Sequence, residues 1–445
     1  MNTDPCQRRS LSRYSHIVLL GSSVRALAQS CHQLPCFRPT GASGRPSLWA
    51  IDQFADQDCS SVADKVSQFD LSEVSIDLFG SAEQTVSGEL LFLPGGGTEN
   101  HAELAQQIAA NHHWCGIVGP QLTALRDPTI LLDIASRVGL QAPPTYTHKT
   151  HPNRQSFVHS STDLLKNAEW LWKSSNKGGG LGVSRLHTQA EWDYFFSQTG
   201  SDYLQQVIPG VPYGATIIIS ANGKGEFVGA CRLLTASDQV EHLEISQTLT
   251  SQIQYVHTSP RSRQDFPYLF AGALGPCHIP ADVQQKLLLL AEACFHEFGI
   301  KGWFQIDFIL DSNQQAWILE VNPRWSATME IYERSLGLSL TAKHIQAWGV
   351  EVPVHAPNRR AQGLVCWKEV IYAESDFLWT NAHQLHVAEL NRQQIHTLGW
   401  PLVADVPNVL QSFAPGMPIC SIIAVGRTEI ELQHQRSLTQ SILST

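Results

Sequence analysis

At 445 residues, 43% hydrophobic and 16% charged, the chain has the length for two or three domains with ample core and is too apolar to be disordered. A formal net charge of −10 argues against a general nucleic-acid-binding surface, so no nucleic-acid partner is expected. Ten scattered cysteines without a C-x-x-C pair, and no apolar run longer than Ile17–Leu20 or Leu287–Ala291, predict reduced thiols in a cytoplasmic protein with neither a signal peptide nor a membrane span.

Residues 1 to about 14 read as a frayed lead-in. His16–Leu20 predicts a strand, Gly21–Ser23 a turn and Val24–Gln33 a helix. Ser47–Ile51 and Glu89–Leu93 predict further strands, the second running into Gly95–Gly97 and a helix near His101–Ala110. Strands alternating with helices predict a parallel α/β domain. The G-x-G-x-x-G spacing is absent at Gly21, which disfavours a nicotinamide site. Ile130–Val138 is an amphipathic helix closed by Pro143 and Pro144.

Trp170–Lys173 predicts a short strand, followed by a loop in which Gly178, Gly179, Gly180 and Gly182 crowd together. Such a loop brings backbone N–H groups close to phosphate oxygens, and Lys173 on a rigid strand supplies a point charge beside it. A solvent-exposed linker accounts for the same composition. The Gly-Lys-Ser/Thr ending of a P-loop is missing. Asp202–Gly210 predicts a strand leading into a turn, with Gln205 and Gln206 either functional or simply polar at a strand end. Tyr213–Ser220 and Phe227–Leu233 predict strands, and Pro280–Phe298 a long helix. From Gly363 onward the chain looks β-rich, with strands at Leu364–Val370, Pro401–Val406 and Ile419–Val425 before a C-terminal helix.

The stretch Trp303–Val321 predicts a hairpin turning at Asp311–Gln315. With Leu310 opposite Trp317, strand alternation pairs Asp307 with Glu320 and Gln305 with Asn322. Ile318 joins that polar face, and Phe304, Ile306, Phe308, Leu310, Trp317, Leu319 and Val321 form the apolar one. Facing carboxylates repel and call for a cation if partly buried. An oxygen-only set of Asp307, Glu320 and Asn322 suits Mg²⁺ or Mn²⁺. An ordinary hairpin with its acidic face in water explains the pattern equally well. Arg324, just past the hairpin, is placed to hold a phosphoryl group or a carboxylate, or to bridge to Glu330 or Glu333.

The order of these parts, a strand lysine, a glycine-rich flap, Gln205–Gly210, then Asp307, Glu320, Asn322, Pro323 and Arg324 at their spacing, resembles the ATP-grasp superfamily. Gly21–Ser30, Ala50–Asp58, Leu125–Pro128, Phe270–Pro276, Ser326–Ile331 and Ala404–Pro407 resemble a branch of carboxylate–amine ligases similar to the tyramine–glutamate ligase of methanofuran synthesis. The resemblance implies a mixed α/β and α+β architecture. A Rossmann-like, pre-ATP-grasp domain would occupy 1–120 and an ATP-grasp domain of two α+β subdomains 121–350, with its flap at about 143–205. A small β-rich C-terminal appendage would occupy 351–445.

The resemblance further implies that ATP lies between the two subdomains, with Lys173 on its α/β-phosphates and Gly178, Gly179, Gly180 and Gly182 covering them. Gln205, Gln206, Val207 and Ile208 would form the adenine hinge. Asp307, Glu320 and Asn322 would hold one or two Mg²⁺ or Mn²⁺ ions, and Arg324, with Lys173, would serve catalysis at the transferred phosphoryl group. The partners would be a small-molecule carboxylic acid and an amine, an amino acid such as glutamate among the candidates, and a homodimer is left open. This chain has Arg126 where many members place a lysine, Gln205 and Gln206 where a hinge glutamate is common, no acid after Gly210, and Gln305 where some ligases carry arginine. A bicarbonate-activating, carboxylase-like enzyme and a non-catalytic ATP-binding regulatory protein are the alternatives on the same fold. No biotin-attachment feature is visible, and the intact acidic set argues against binding alone.

Overall fold

A computed structural model describes residues 9–37, 45–79, 89–148, 168–236, 267–352 and 363–439. A parallel sheet is built from β1 (Tyr14–Gly21), β2 (Ser47–Asp52), β3 (Lys65–Gln68), β4 (Glu89–Pro94) and β5 (His113–Trp114), in the order β3-β2-β1-β4-β5. Its strands are nearly continuous apolar runs because both faces are covered. Ile17, Leu19, Leu91 and Leu93 point into one core cluster, whereas Val18, Leu20 and Phe92 point into another. The first cluster takes in α1 (Arg25–His32) together with α8 (Met329–Leu336) and α9 (Leu340–Ala347), two helices that follow the hairpin. These helices fasten the N-terminal sheet to the rest of the molecule. The second cluster is covered in part by α3 (Ala102–Asn111), and a four-residue helix, α2 (Gln57–Ser60), follows β2. Arg9 and Ser10 are not frayed: they pair in parallel with Val350 and Glu351.

Helices α4 (Gly119–Leu125) and α5 (Pro128–Arg137) lead out of this sheet. Asp127 caps α5, accepting from the Thr129 N–H at 2.9 Å, and Pro128 fills the first turn, where no N–H is needed. A small antiparallel sheet follows, from β6 (Thr145–Thr147), β7 (Trp170–Lys173), β8 (Val183–Leu186) and β9 (Tyr203–Gln206), in the order β6-β9-β7-β8. Trp170 and Leu204 on this sheet pack with Trp192 and Phe195 of α6 (Gln189–Ser197), whose start is closed by a Thr188–Glu191 capping box. Part of the stretch 143–205, residues 149–167, lies outside the described residues.

The largest sheet is antiparallel. It comprises β10 (Val211–Ile219), β11 (Gly225–Thr235), β12 (Phe270–Cys277), β13 (Gly302–Leu310), β14 (Ala316–Asn322), β15 (Val365–Tyr372), β16 (Val403–Ala404) and β17 (Pro418–Gly426). The order β14-β13-β10-β11-β12-β15-β17-β16 shows that the β-rich C-terminal region extends this sheet through the β12–β15 pairing. One face packs on α5 and on α7 (Ala281–Phe298), through Ile134, Leu287, Leu290 and Ala291. Gly299, in the left-handed conformation with φ 73°, stops α7. Helices α10 (Asn381–Leu398) and α11 (Glu429–Thr439) complete the C-terminal part. Among the described residues no helix is long and apolar enough to cross a membrane.

The hairpin register departs from the expected one in its turn half. Gln305 opposes Asn322 and Asp307 opposes Glu320 as expected, but a bulge after Asp307 shifts the remainder, so Leu310 meets Ala316 and Trp317 meets Ile309. The extra residue reverses the alternation along β14. Ile318 consequently joins Phe304, Ile306 and Phe308 in the core, while Trp317 and Leu319 leave the apolar face and are only part-buried.

Candidate functional site

The site grows from the paired ends of β13 and β14. Asp307 accepts from Gln305 Nε2 at 2.6 Å and from Asn322 Nδ2 at 3.1 Å, and the same amide reaches Glu320 Oε1 at 3.3 Å. Gln305 is itself fixed, its carbonyl taking hydrogen bonds from Ser326 and from Thr328 Oγ1. Gln305 and Asn322 are buried, at 5% and 2% exposure, so the two carboxylates are braced from behind rather than free on a wet surface.

Cations converge on this pair. Burial alone would raise the Glu320 pKa; Arg126, Lys173, the Asn322 hydrogen bond and Arg324 outweigh it and hold the carboxyl below its usual range. Asp307 responds oppositely: burial and then the Glu320 charge push it up to about 7. The two form one coupled site in which Glu320 carries the charge and Asp307 bears the repulsion. Lys173, at the end of β7, donates to Gln205 Oε1 at 3.1 Å. Burial disfavours its charge, but Tyr203, Glu320 and Asp307 outweigh that and raise its pKa, so it stays an ammonium.

Arg324 does not bridge to Glu330 or Glu333. Its Nε donates to Glu99 Oε1 at 2.9 Å, and its terminal nitrogens donate to Asn322 Oδ1 and the Trp325 carbonyl, both at 3.2 Å. Glu330 and Glu333 ride on α8, which turns them toward α1. There Glu330 meets Arg25 and Glu333 accepts from Ser30. Glu99 is the residue the sequence reading missed. It is 5% exposed and reaches the site because the loop after β4 is held over the sheet edge, where Trp325 N–H donates to the Pro94 carbonyl at 3.0 Å. A carboxylate just past a glycine run at the carboxyl end of a parallel strand was the available signal.

The glycine-rich loop joins β7 to β8. It is folded back on itself by Ser174 N–H to Gly182 O at 2.9 Å and rests on β12 through Phe270 N–H to Gly179 O, also 2.9 Å. Gly180 has a φ of 81°, and a Cβ there would collide with the Tyr268 carbonyl, so this position requires glycine. Arg126 reaches the neighbouring Ser175 carbonyl at 3.3 Å. At the strand exit, Gln206 N–H goes to Pro144 O and Val207 N–H to Glu169 O, at 2.9 and 2.8 Å. Those two donors are committed, whereas Ile208 N–H has no partner among the described residues.

The donor set fits a hard divalent cation that arrives with phosphates. Among the described residues no three His, Cys, Asp or Glu side chains are grouped to hold a metal by themselves. A Mg²⁺ ion needs only one or two carboxylates when nucleotide oxygens and water complete its shell.

Residues 135–328 match the family described as the ATP-grasp domain. The chain carries an ATP-grasp domain. Over 161 residues it is 22% identical to a D-alanine–D-alanine ligase of Ruthia magnifica subsp. Calyptogena magnifica, a match covering 34% of the chain and 45% of the relative. Over 177 residues it is 25% identical to the D-alanine–D-alanine ligase of Marinomonas sp. (strain MWYL1), covering 38% and 49%. The match thus spans about half the length of these curated relatives. Among solved structures, an ADP complex of N5-carboxyaminoimidazole ribonucleotide synthetase is similar over 98% of both chains, with a TM-score of 0.62 at 12% identity. The biotin carboxylase domain of Hydrogenobacter thermophilus 2-oxoglutarate carboxylase, a dimer with MgADP, ADP and bicarbonate, covers 96% of this chain and 90% of its own, with a TM-score of 0.63 at 13% identity. At such identities the likeness is one of fold, and it runs through the N-terminal sheet and C-terminal strands as well as the ATP-grasp domain.

Proposed function

We propose that the protein is an ATP-dependent, ADP-forming ligase that joins a carboxylate to an amine through an acyl phosphate. The observation that carries this reading is the convergence of Arg126, Lys173 and Arg324 on Glu320, the carboxyl paired with Asp307 across the hairpin. A substrate carboxylate oxygen attacks the γ-phosphorus and ADP departs. The amine nitrogen then attacks the acyl carbon, phosphate leaves, and the nitrogen loses a proton. Lys173 holds the α/β-phosphates and the N–H groups of Gly178, Gly179, Gly180 and Gly182 cover them. Gln205, Gln206, Val207 and Ile208 line the base, with the Ile208 N–H as the donor still available to it. Arg324, steadied by Glu99 and Asn322, faces the transferred phosphoryl group. Asp307, Glu320 and Asn322 would hold Mg²⁺ or Mn²⁺, which supplies charge neutralisation on the phosphate oxygens. Closure of the glycine-rich loop keeps water from the acyl phosphate.

The test is ADP release by the purified protein with Mg·ATP against pooled carboxylic acids and amines, glutamate, tyramine and bicarbonate among them, with products read by mass. Release requiring one acid and one amine, giving a product one water lighter than their sum, supports the ligase. Release with bicarbonate alone as the acid would move the reading to a carboxylase. Lys173→Ala is expected to weaken Mg·ADP binding by roughly 10- to 100-fold, the loss of one charge-assisted contact. Titration calorimetry checks it, and an unchanged affinity would relocate the phosphate site.

A further inference from the structure

We propose that Glu99 receives the amine substrate: its free carboxyl oxygen, Oε2, accepts an N–H from the attacking nitrogen and takes the proton that the nitrogen sheds. The proposal rests on the ligase reading and deepens it, giving the second substrate a place beside Arg324.

Glu99 is 5% exposed and spends Oε1 on Arg324, whose Nε and one terminal nitrogen both lie 2.9 Å away. Oε2 is buried too, and it has no hydrogen-bond partner among the described residues. A buried acceptor left unmade carries the full cost of its lost hydration, and a bound donor would remove that cost. The polar side chains on either side of Glu99 in the chain are occupied. Thr98 Oγ1 donates to Gly95 O at 2.7 Å, and Asn100 Oδ1 accepts from Arg126 at 3.3 Å. Other orphaned atoms differ in kind: the indole nitrogens of Trp303, Trp325 and Trp367 lie inside apolar clusters, and Glu89 sits at the surface with Arg13.

Glu99 also stands at a ligand-binding position of the sheet. In the order β3-β2-β1-β4-β5, the chain leaves β1 toward β2 on one side and β4 toward β5 on the other. Open α/β sheets bind ligands outside the carboxyl ends of strands where the order reverses in this way. Glu99 lies on the loop after β4, which is tied to the end of β1 by Gly95 N–H to Leu20 O and Ser22 N–H to Gly96 O, both 2.7 Å. A Cβ at Gly96 would meet nothing within 4 Å, and the Arg324 side chain is 15% exposed. The turn and the arginine therefore border open space. Admitting a nitrogen to Oε2 needs a shift of the Glu99 side chain, not of the sheet.

Charge decides which reactant this is. A carboxylate accepts and does not donate, so Glu99 repels an acid, bicarbonate or phosphate and suits the reactant that brings N–H groups. Arg324, on the other carboxyl oxygen, faces the transferred phosphoryl group, which sets the nitrogen beside the acyl carbon. As the N–C bond forms and the C–O bond to phosphate breaks, phosphate leaves with the electron pair and the nitrogen becomes positive. Oε2 faces that charge and takes the proton.

The experiment compares two fates of one acyl phosphate. The full chain is given Mg·ATP and pooled carboxylic acids, in one arm with hydroxylamine and in the other with pooled amines, glutamate and tyramine among them. Hydroxylamine is small enough to convert an acyl phosphate to a hydroxamate without being bound. The readout, by mass, is the rate of amide formation relative to that of hydroxamate. Glu99→Gln keeps an acceptor for Arg324 but puts an NH₂ donor where Oε2 was, so the ratio is expected to fall by roughly tenfold or more. A residue that only steadies Arg324 would lower both products together, and an unchanged ratio overturns the proposal. Glu99→Asp, which withdraws both oxygens by one methylene, should lower the ratio as well and serves if glutamine prevents folding, as judged by melting temperature and Mg·ADP affinity. In the wild type, amide formation should saturate with amine; a linear dependence overturns the amine site without any variant. If the wild type forms hydroxamate while the variants keep its ratio, the Glu99 assignment alone falls. If the wild type forms neither product, the ligase reading falls and takes this assignment with it.

Discussion

Glu320→Gln is expected to lower Mg²⁺-dependent turnover by on the order of 10²- to 10³-fold, the loss seen when one fixed charge-stabilising group is removed from an active site. Glutamine keeps the side-chain length and removes the charge. Glu320 faces Asp307 across the hairpin and is the carboxyl on which Arg126, Lys173 and Arg324 act. Without it, Lys173 and Arg324 face Asp307 alone, and the proposed metal would lose one of its two carboxylate ligands. The fold should persist, because the opposite face of the hairpin (Phe304, Ile306, Phe308, Ile318 and Val321) lies in the core and is untouched. Because Arg126, Lys173 and Arg324 hold the Glu320 carboxyl below its usual range, its charge stabilises the fold at neutral pH, and the melting temperature is expected to fall modestly rather than collapse. A readout that needs no substrate is the Mg²⁺ dependence of ADP affinity, which should disappear in this variant and fall in Asn322→Ala. Near-normal turnover, or an unchanged metal dependence, would remove the metal assignment.

What the sequence made legible was local. Strand runs such as Trp170–Lys173 and Glu89–Leu93 were readable from β-rich composition, and α7 from its length and periodicity, because those signals lie within a few residues. The acidic half of the hairpin register was readable too, since alternation constrains it. The bulge after Asp307 was not, because it depends on how β14 sits against the core and leaves no mark in composition. Helix α10 was missed for a related reason: it carries few apolar residues and is delimited by its Thr380 cap and the left-handed Gly399. The partners of Arg324 and Glu330 lay furthest beyond the reach of the sequence. Glu99 lies 225 positions before Arg324, and Arg25 lies 305 before Glu330. Proximity in sequence offers a bridge from Arg324 to Glu330 or Glu333 as one alternative, and the packing of α8 against α1 rules it out.

That packing is the subject of the second large effect. Arg25→Met is expected to destabilise the protein by about 3–5 kcal/mol at neutral pH, the usual cost of stripping one partner from a buried ion pair. Arg25 is fully buried at 0% exposure and joins Glu330 of α8, Asp405 beside β16 and Asp58 of α2. One side chain thus ties three separate parts of the chain, and methionine fills its volume without replacing any of its charge. Glu330 keeps Arg334 and Lys368, so Asp405 and Asp58 are left most exposed to the loss. The pH dependence distinguishes charge from packing. Burial would raise the Glu330 pKa, but Arg25, Lys368 and Arg334 overcome it and hold the carboxyl well below its usual range. Asp405 is likewise held low, burial being outweighed first by Arg25 and then by Lys368. Groups whose pKa is lower folded than unfolded stabilise fully above the unfolded value, about 4 for a carboxyl, and lose that contribution as the pH falls through the folded value. The gap between wild type and Arg25→Met should therefore be widest near pH 7 and narrow in acid, as measured by urea unfolding at a series of pH values. A gap that stays constant from pH 7 down to the acid limb would place the loss in packing and deny the network its electrostatic role.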